Sequence, residues 1–177
     1  KNDMALSMLT ETIVETETGT EKRKGVTKGG EKIKVVKILK VTPDEFFDVI
    51  ENSLRYDIAK YGKKAEGSYV LEEGFSYYKK IKYKKKEYRT LTEVKKFEPP
   101  RSYRVLIRND IGNFAVSYDV SQRGENEIEV LYREDTCDDS GDINTSFGRE
   151  LFGKIQGGRV KRRLAQMEKH IRNRRKQ

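Results

Sequence analysis

Lys32-Ile-Lys-Val-Val-Lys-Ile-Leu-Lys-Val-Thr-Pro-Asp-Glu-Phe-Phe-Asp-Val-Ile50 joins a strand to a helix with almost no linker. In an extended chain, Ile33, Val35, Leu39 and Val41 fall on one face, with Val36 and Ile38 on the other. Thr42 is placed to cap the helix, because its hydroxyl can accept from the free amides of the first turn. Pro43 suits the first helical position, where no N–H is needed, and Glu45 completes a capping box with Thr42. Phe46, Phe47, Val49, Ile50 and Leu54 then form a helical stripe, which Ile58 and Tyr61 continue to a stop at Gly62. We expect two short helices here, with the break near Asn52-Ser53. Residues 62–74 read as a loop or short strand.

Downstream the period changes from helical to two. Phe75, Tyr77, Ile81 and Tyr83 alternate, and Lys84-Lys-Lys86 makes a polar turn. Tyr88 to Phe97 is the next strand, ended by Glu98-Pro99-Pro100 because proline cannot donate to a ladder. Tyr103, Val105 and Ile107 form another, followed by a turn over Asn109 to Gly112. Phe114, Val116, Tyr118 and Val120 form a fourth, then a turn from Gln122 to Asn126 around Gly124. Ile128, Val130 and Tyr132 form the fifth. Short strands at this spacing predict an antiparallel meander with one buried face.

An acidic loop, Asp138-Asp-Ser-Gly-Asp142, leads to the last segment, with Asn144 or Thr145 as the expected N-cap. Thr145 to Gln177 holds eleven Lys/Arg and two Glu, while the preceding 144 residues balance at 27 of each sign. The whole net charge of +9 therefore lies in the C-terminal segment. Phe147, Leu151, Ile155, Leu164, Met167 and Ile171 recur mostly at three- and four-residue spacings, so the segment predicts a long amphipathic helix. The element order predicts an α+β helix-grip fold: an antiparallel sheet wrapped around a long C-terminal helix, with two short helices after the first core strand.

A length of 177 residues suits one domain, placed at 32–177, after an N-terminal extension at 1–31 that is flexible or forms an edge hairpin. Charged residues make up 38% and apolar residues 34%, so ten Tyr and seven Phe must supply much of the buried area. No run approaches the roughly 20 apolar residues that span a bilayer, and Lys1 to Thr10 lacks the apolar region of a leader. A single cysteine, Cys137, rules out an internal disulfide and fits a cytoplasmic location.

Three stretches carry a resemblance: Val35 to Ile50, Lys96-Phe-Glu-Pro-Pro-Arg-Ser-Tyr103, and Gly157-Gly-Arg-Val-Lys-Arg-Arg-Leu164. Together they resemble a family of small cytosolic bacterial proteins that carry a domain of unknown function. That family is similar in outline to the START/polyketide-cyclase (SRPBCC) superfamily. The resemblance spans about residues 32–172 and implies the helix-grip fold; its motifs are structural, and it brings no catalytic residues.

The expected function is a non-catalytic binding module for a small hydrophobic or amphipathic ligand, held between sheet and C-terminal helix. Its candidate residues are Phe47, Tyr77, Tyr103, Tyr118, Tyr132, Phe152 and Ile155. The tyrosines either line a pocket and orient a ligand by their hydroxyls, or fill a solid core with hydroxyls at its rim. Gly148, Gly153, Gly157 and Gly158 either let the helix approach the sheet, kink it, or leave room for a ligand. One alternative is an adaptor that meets an anionic partner, a membrane surface or nucleic acid, through Arg159, Lys161, Arg162, Arg163 and Arg172. The same charges suit the negative end of the helix dipole. A second alternative is a cyclase- or hydrolase-like enzyme, which needs a buried Asp, Glu or His facing tyrosine hydroxyls. His170 is the only histidine and is remote in sequence from Cys137. No zinc-ligand cluster or P-loop occurs, and the acidic loop lacks the EF-hand spacing. We therefore expect no metal, no cofactor and no catalytic residue; oligomeric state is not read from the sequence.

Overall fold

In a computed structural model, which describes residues 33–62, 67–83, 86–109, 112–137 and 157–176, the opening stretch forms strand β1 (Ile33–Leu39) and then helix α1 (Pro43–Tyr61). The capping box closes as its residue types require. Thr42 N–H donates to Glu45 Oε2 at 2.8 Å, and Glu45 N–H donates to Thr42 Oγ1 at 3.3 Å. The strand faces divide as expected, with Val35 and Leu39 buried while Val36 and Ile38 stay half exposed.

One expectation is overturned here. α1 is a single helix of 19 residues, not two short ones. No glycine or proline lies between Asp44 and Tyr61 to break it. Ser53 is fully buried on its packed face, and Arg55 Nε bonds Glu51 Oε1 at 2.9 Å across the supposed break. Gly62 is the C-cap with right-handed φ −78°, ψ −12°. A Cβ there would lie 2.7 Å from the Ile58 carbonyl oxygen, so the position favours glycine by close approach rather than by positive φ.

Five further strands follow: β2 (Ser76–Tyr83), β3 (Lys86–Glu98), β4 (Ser102–Asn109), β5 (Gly112–Gly124) and β6 (Glu127–Cys137). They form one sheet in the order β1-β6-β5-β4-β3-β2, with every pairing antiparallel. The meander is thus closed by β1, which lies beside the last strand. β5 runs further than its alternation implied. A bulge between Gln122 and Gly124 lets pairing continue, so the turn shrinks to Glu125-Asn126. Another bulge between Val94 and Lys96 shifts the phase of β3 and brings Phe97 opposite Tyr103. The β3–β4 turn carries a cis Pro99–Pro100 bond.

The described C-terminal helix is α2 (Gly157–Arg174), 18 residues long. Leu164, Met167 and Ile171 of its predicted stripe are buried, joined by Val160, in one core with α1 and the inner face of the sheet. It packs on β1 and on α1. Lys37 Nζ donates to the Lys161 carbonyl at 3.0 Å, and the Lys40 N–H donates to Glu168 Oε1 at 2.9 Å. Beyond α2, Arg175 Nε donates to Glu45 Oε1 at 2.6 Å, and its Nη2 bonds Glu45 Oε2. The expected N-cap, the acidic loop, Phe147, Leu151, Ile155 and the segment 1–31 lie outside the described residues.

Thr42→Ala removes the side-chain cap and should lower stability by about 1 kcal/mol in denaturant melts. The Arg175 bonds hold the Glu45 carboxyl down at about 2, against an ordinary value of 4.5. Its contribution is therefore complete above about pH 4.5 and lost as pH falls towards 2. Melts of wild type and Glu45→Gln should differ most above pH 5 and converge by pH 2; a gap independent of pH would contradict the pairing.

Candidate functional site

Strand alternation places the tyrosines. Antiparallel register aligns Phe97, Tyr103, Tyr118, Tyr132 and Val35 as one row across five neighbouring strands. Phe97 meets Tyr103 edge-on at 6.2 Å between ring centres, Tyr103 stacks on Tyr118 at 6.3 Å, and Tyr118 meets Tyr132 at 5.1 Å. From α1, Phe46 lies 6.0 Å from Tyr118, and Phe47 lies 6.4 Å from Phe46. Tyr77 on β2 is buried in the same core and sits 6.3 Å from Phe75. Five of the seven predicted ligand residues, Phe47, Tyr77, Tyr103, Tyr118 and Tyr132, thus share one interior. Phe152 and Ile155 lie outside the described residues. Burial pushes all four phenols above their ordinary range, so each stays neutral and keeps an O–H to donate.

A polar cluster lies at the β2–β3 side of this interior. Asp57, one helical turn after Ser53, projects from α1 toward Lys79 of β2, with Nζ to Oδ2 at 3.4 Å. The two side chains are only 4% and 1% exposed. Thr90 lies directly across from Lys79, and Thr92 directly across from Tyr77. Burial lowers the Lys79 ammonium and the Asp57 charge opposes that fall. The same carboxylate raises Tyr77 and Tyr103, which ties the cluster to the tyrosines. The Thr92 hydroxyl lies close enough to Tyr77 to oppose its rise. Yet neither Thr90 Oγ1 nor Thr92 Oγ1 has a well-formed hydrogen bond among the described residues, although both are sealed from solvent.

A second cluster sits on β6, with β4 and β5 lying between. The Tyr132 hydroxyl donates to Glu134 Oε2 at 2.6 Å, and Glu134 is 6% exposed. Burial raises the Glu134 carboxyl, while the Tyr132 bond and the Arg163 charge pull it back. Arg163 comes from α2, three residues after Val160 and four before Met167, so it rides the buried stripe. Its Nη1 is buried without a well-formed hydrogen bond among the described residues, and both its charge and a side-chain hydrogen bond from it oppose the rise of Tyr118.

The predicted anion-contact set is accordingly split. Lys161, Arg162 and Arg172 are exposed and Arg159 is partly buried, but Arg163 turns inward. That corrects the outward basic face, and the cause is phase: a long side chain at a stripe position must reach along the core. Gly157 and Gly158 begin the described helix, and a Cβ on Gly158 would meet nothing within 4 Å, so close approach does not account for it. Cys137 is buried with Leu106 and Ala115 on the other face of the sheet, apart from the core that holds α2, so it does not pair with His170.

Asp57, Lys79, Thr90, Thr92 and Glu134 escaped the sequence reading. Each nonetheless sits in phase with buried neighbours: Asp57 seven residues after Ile50, Lys79 two after Tyr77, and Glu134 two after Tyr132. Phase was the available signal, and charge masked it. Together these groups supply hydrogen-bond donors and acceptors inside an otherwise apolar core.

No curated protein sequence matches the chain. Its architecture matches a solution structure of a protein from Staphylococcus epidermidis, with TM-score 0.55 and 11% identity over 85% of this chain and 95% of that one. It also matches a conserved protein from Geobacillus kaustophilus, with TM-score 0.53 and 16% identity over 81% and 96% of the two chains. Ara h 8.0201, an SRPBCC-type protein, gives TM-score 0.54 and 11% identity over 82% and 99%. At these identities the likeness is one of fold. The sequence profile of DUF3284, described as a domain of unknown function, matches residues 33–153. The chain therefore belongs to the DUF3284 family, whose member here shares its architecture with SRPBCC-type proteins.

Proposed function

We propose that this protein is a non-catalytic binding module. It takes a small hydrophobic or amphipathic molecule between the sheet and the C-terminal helix, in helix-grip fashion, with the sheet wrapped around α2. The observation that carries this reading is the polarity of the interior. Buried polar atoms in folded proteins nearly always have a partner. Here Thr90 Oγ1 lacks one among the described residues, and Thr92 Oγ1 and Arg163 Nη1 have only poorly formed bonds to Tyr77 and Tyr118. Four neutral phenols lie in the same enclosure. A solid core built only for stability would bury apolar groups there. A guest with an apolar body and a polar end satisfies both needs. Phe47, Tyr77, Tyr103, Tyr118 and Tyr132 contact its body in this reading, with Phe152 and Ile155 completing the wall.

A second reading has one observation in its favour. Asp57 and Glu134 are buried carboxylates beside tyrosines, the arrangement a cyclase- or hydrolase-like enzyme requires. Binder and enzyme part on the fate of the guest.

Thermal-shift screening of hydrophobic and amphipathic compounds should yield stabilising ligands. A ligand at 100 times its Kd should add about 2.7 kcal/mol of stability. Mass spectrometry should recover it unchanged; conversion would favour the enzyme. Tyr118→Phe should weaken binding about five- to tenfold, the worth of one hydrogen bond, without unfolding the chain. If no ligand class shifts the melting temperature, the binding reading falls.

A further inference from the structure

We propose that the polar end of the guest is a neutral hydroxyl or carbonyl group, not an anion, and that it seats on Thr90, Thr92 and the Asp57–Lys79 pair. This inference rests on the interior-ligand reading above and gives it a chemical class. The first argument is charge. The buried charged residues among those described are Asp57, Lys79 and Glu134, and Arg163 brings its guanidinium in beside Glu134. Lys79 is matched by Asp57 at 3.4 Å, and Glu134 by Arg163. The interior is therefore balanced as it stands. A carboxylate or phosphate would enter as an uncompensated charge in a low-dielectric site and would compete with Asp57 for Lys79.

The second argument is hydrogen-bond capacity. Each threonine hydroxyl offers one donor and two acceptor lone pairs, and Lys79 carries three N–H donors. Both hydroxyls are sealed from solvent; that of Thr90 makes no formed bond and that of Thr92 only a poorly formed one to Tyr77, and direct cross-strand pairing sets them beside Lys79 and Tyr77. Such a set presents donors and acceptors together. An anion could use only the donors, and would leave the acceptors unmet. A hydroxyl uses both; a carbonyl, like an anion, uses only the donors, and is favoured over the anion by adding no charge. The third is placement: the cluster borders the aromatic interior at β2–β3, so a guest seated there lays its apolar body along the tyrosine row.

Calorimetry with the full chain tests this, using two pairs matched in skeleton: 1-octanol against octanoate, and 2-naphthol against 2-naphthoate. The neutral member of a pair should bind about tenfold tighter or better. Thr90→Val and Thr92→Val keep the side-chain shape and delete the hydroxyl. Each should weaken the neutral probe several-fold, and Thr90→Val should raise the melting temperature of the ligand-free protein, because a buried unmet hydroxyl is removed. Ser102→Ala is the control. Its buried hydroxyl donates to Asp119 Oδ1 at 2.9 Å, so its loss should lower the melting temperature. Equal or tighter binding of the anions overturns the inference and leaves the binding reading intact. A fall in melting temperature for Thr90→Val overturns the seat. Binding of neither pair removes the interior-ligand reading, and this inference with it.

Discussion

Phe97, Tyr103, Tyr118 and Tyr132 lie side by side over four adjacent strands, and the rest of the structure is arranged to cover them. A chain with 38% charged residues has few apolar side chains to spend on a core. Large rings laid in register solve that shortage, since each buries far more area than an aliphatic residue. The bulge after Val94 is what admits Phe97 to the row. Helix α1 then needs only Phe46 and its neighbours to close over the rings, and α2 needs only four apolar residues. The charged remainder goes to the outer face of the sheet, where Arg108 meets Glu93 at 3.1 Å and Arg133 meets Asp119 at 2.6 Å. Surface pairs of this kind contribute little to stability, typically under about 1 kcal/mol.

The buried Asp57–Lys79 pair stands apart from that economy. A pair so deeply enclosed is not favoured by stability alone, because desolvating two ions offsets their attraction. Two apolar residues of similar size would pack there as well or better. Its presence in a core already short of apolar groups is what supports reading the β2–β3 side as a ligand seat. The hydroxyls of Thr90 and Thr92 beside it carry the same sign. Glu134 repeats the pattern under α2, with Tyr132 and Arg163 as its neighbours.

Local chemistry was readable in the sequence wherever the deciding contacts are near in the chain. Thr42, Pro43 and Glu45 specify a helix start by themselves, and alternating Phe114, Val116, Tyr118 and Val120 specify a strand with one buried face. What could not be read depends on distant partners. Continuity of α1 through Ser53 is decided by the core against which it packs. The long reach of β5 depends on a bulge, and bulges leave no mark in the alternation of hydrophobic residues. Arg163 looked like one more charge in a basic run, although its phase with Val160 and Met167 places it inside. Asp57, Lys79 and Glu134 were passed over for the same reason: residue type was weighed before position.

The closing of the sheet by β1 bears on how the molecule comes into being. Its anchoring bonds to α2 join residues 124 and 128 positions apart, and the Glu45–Arg175 clamp joins residues 130 apart. A ribosome delivers β1 long before β6 or α2 exists. Throughout that interval the first strand waits with both edges open, a template for stray pairing. Lys34 and Lys37 within it, and Lys40 just after it, give that waiting segment a positive charge that repels copies of itself. The interior therefore cannot be sealed until α2 has been made, and assembly is paced by its longest-range contacts rather than by the meander.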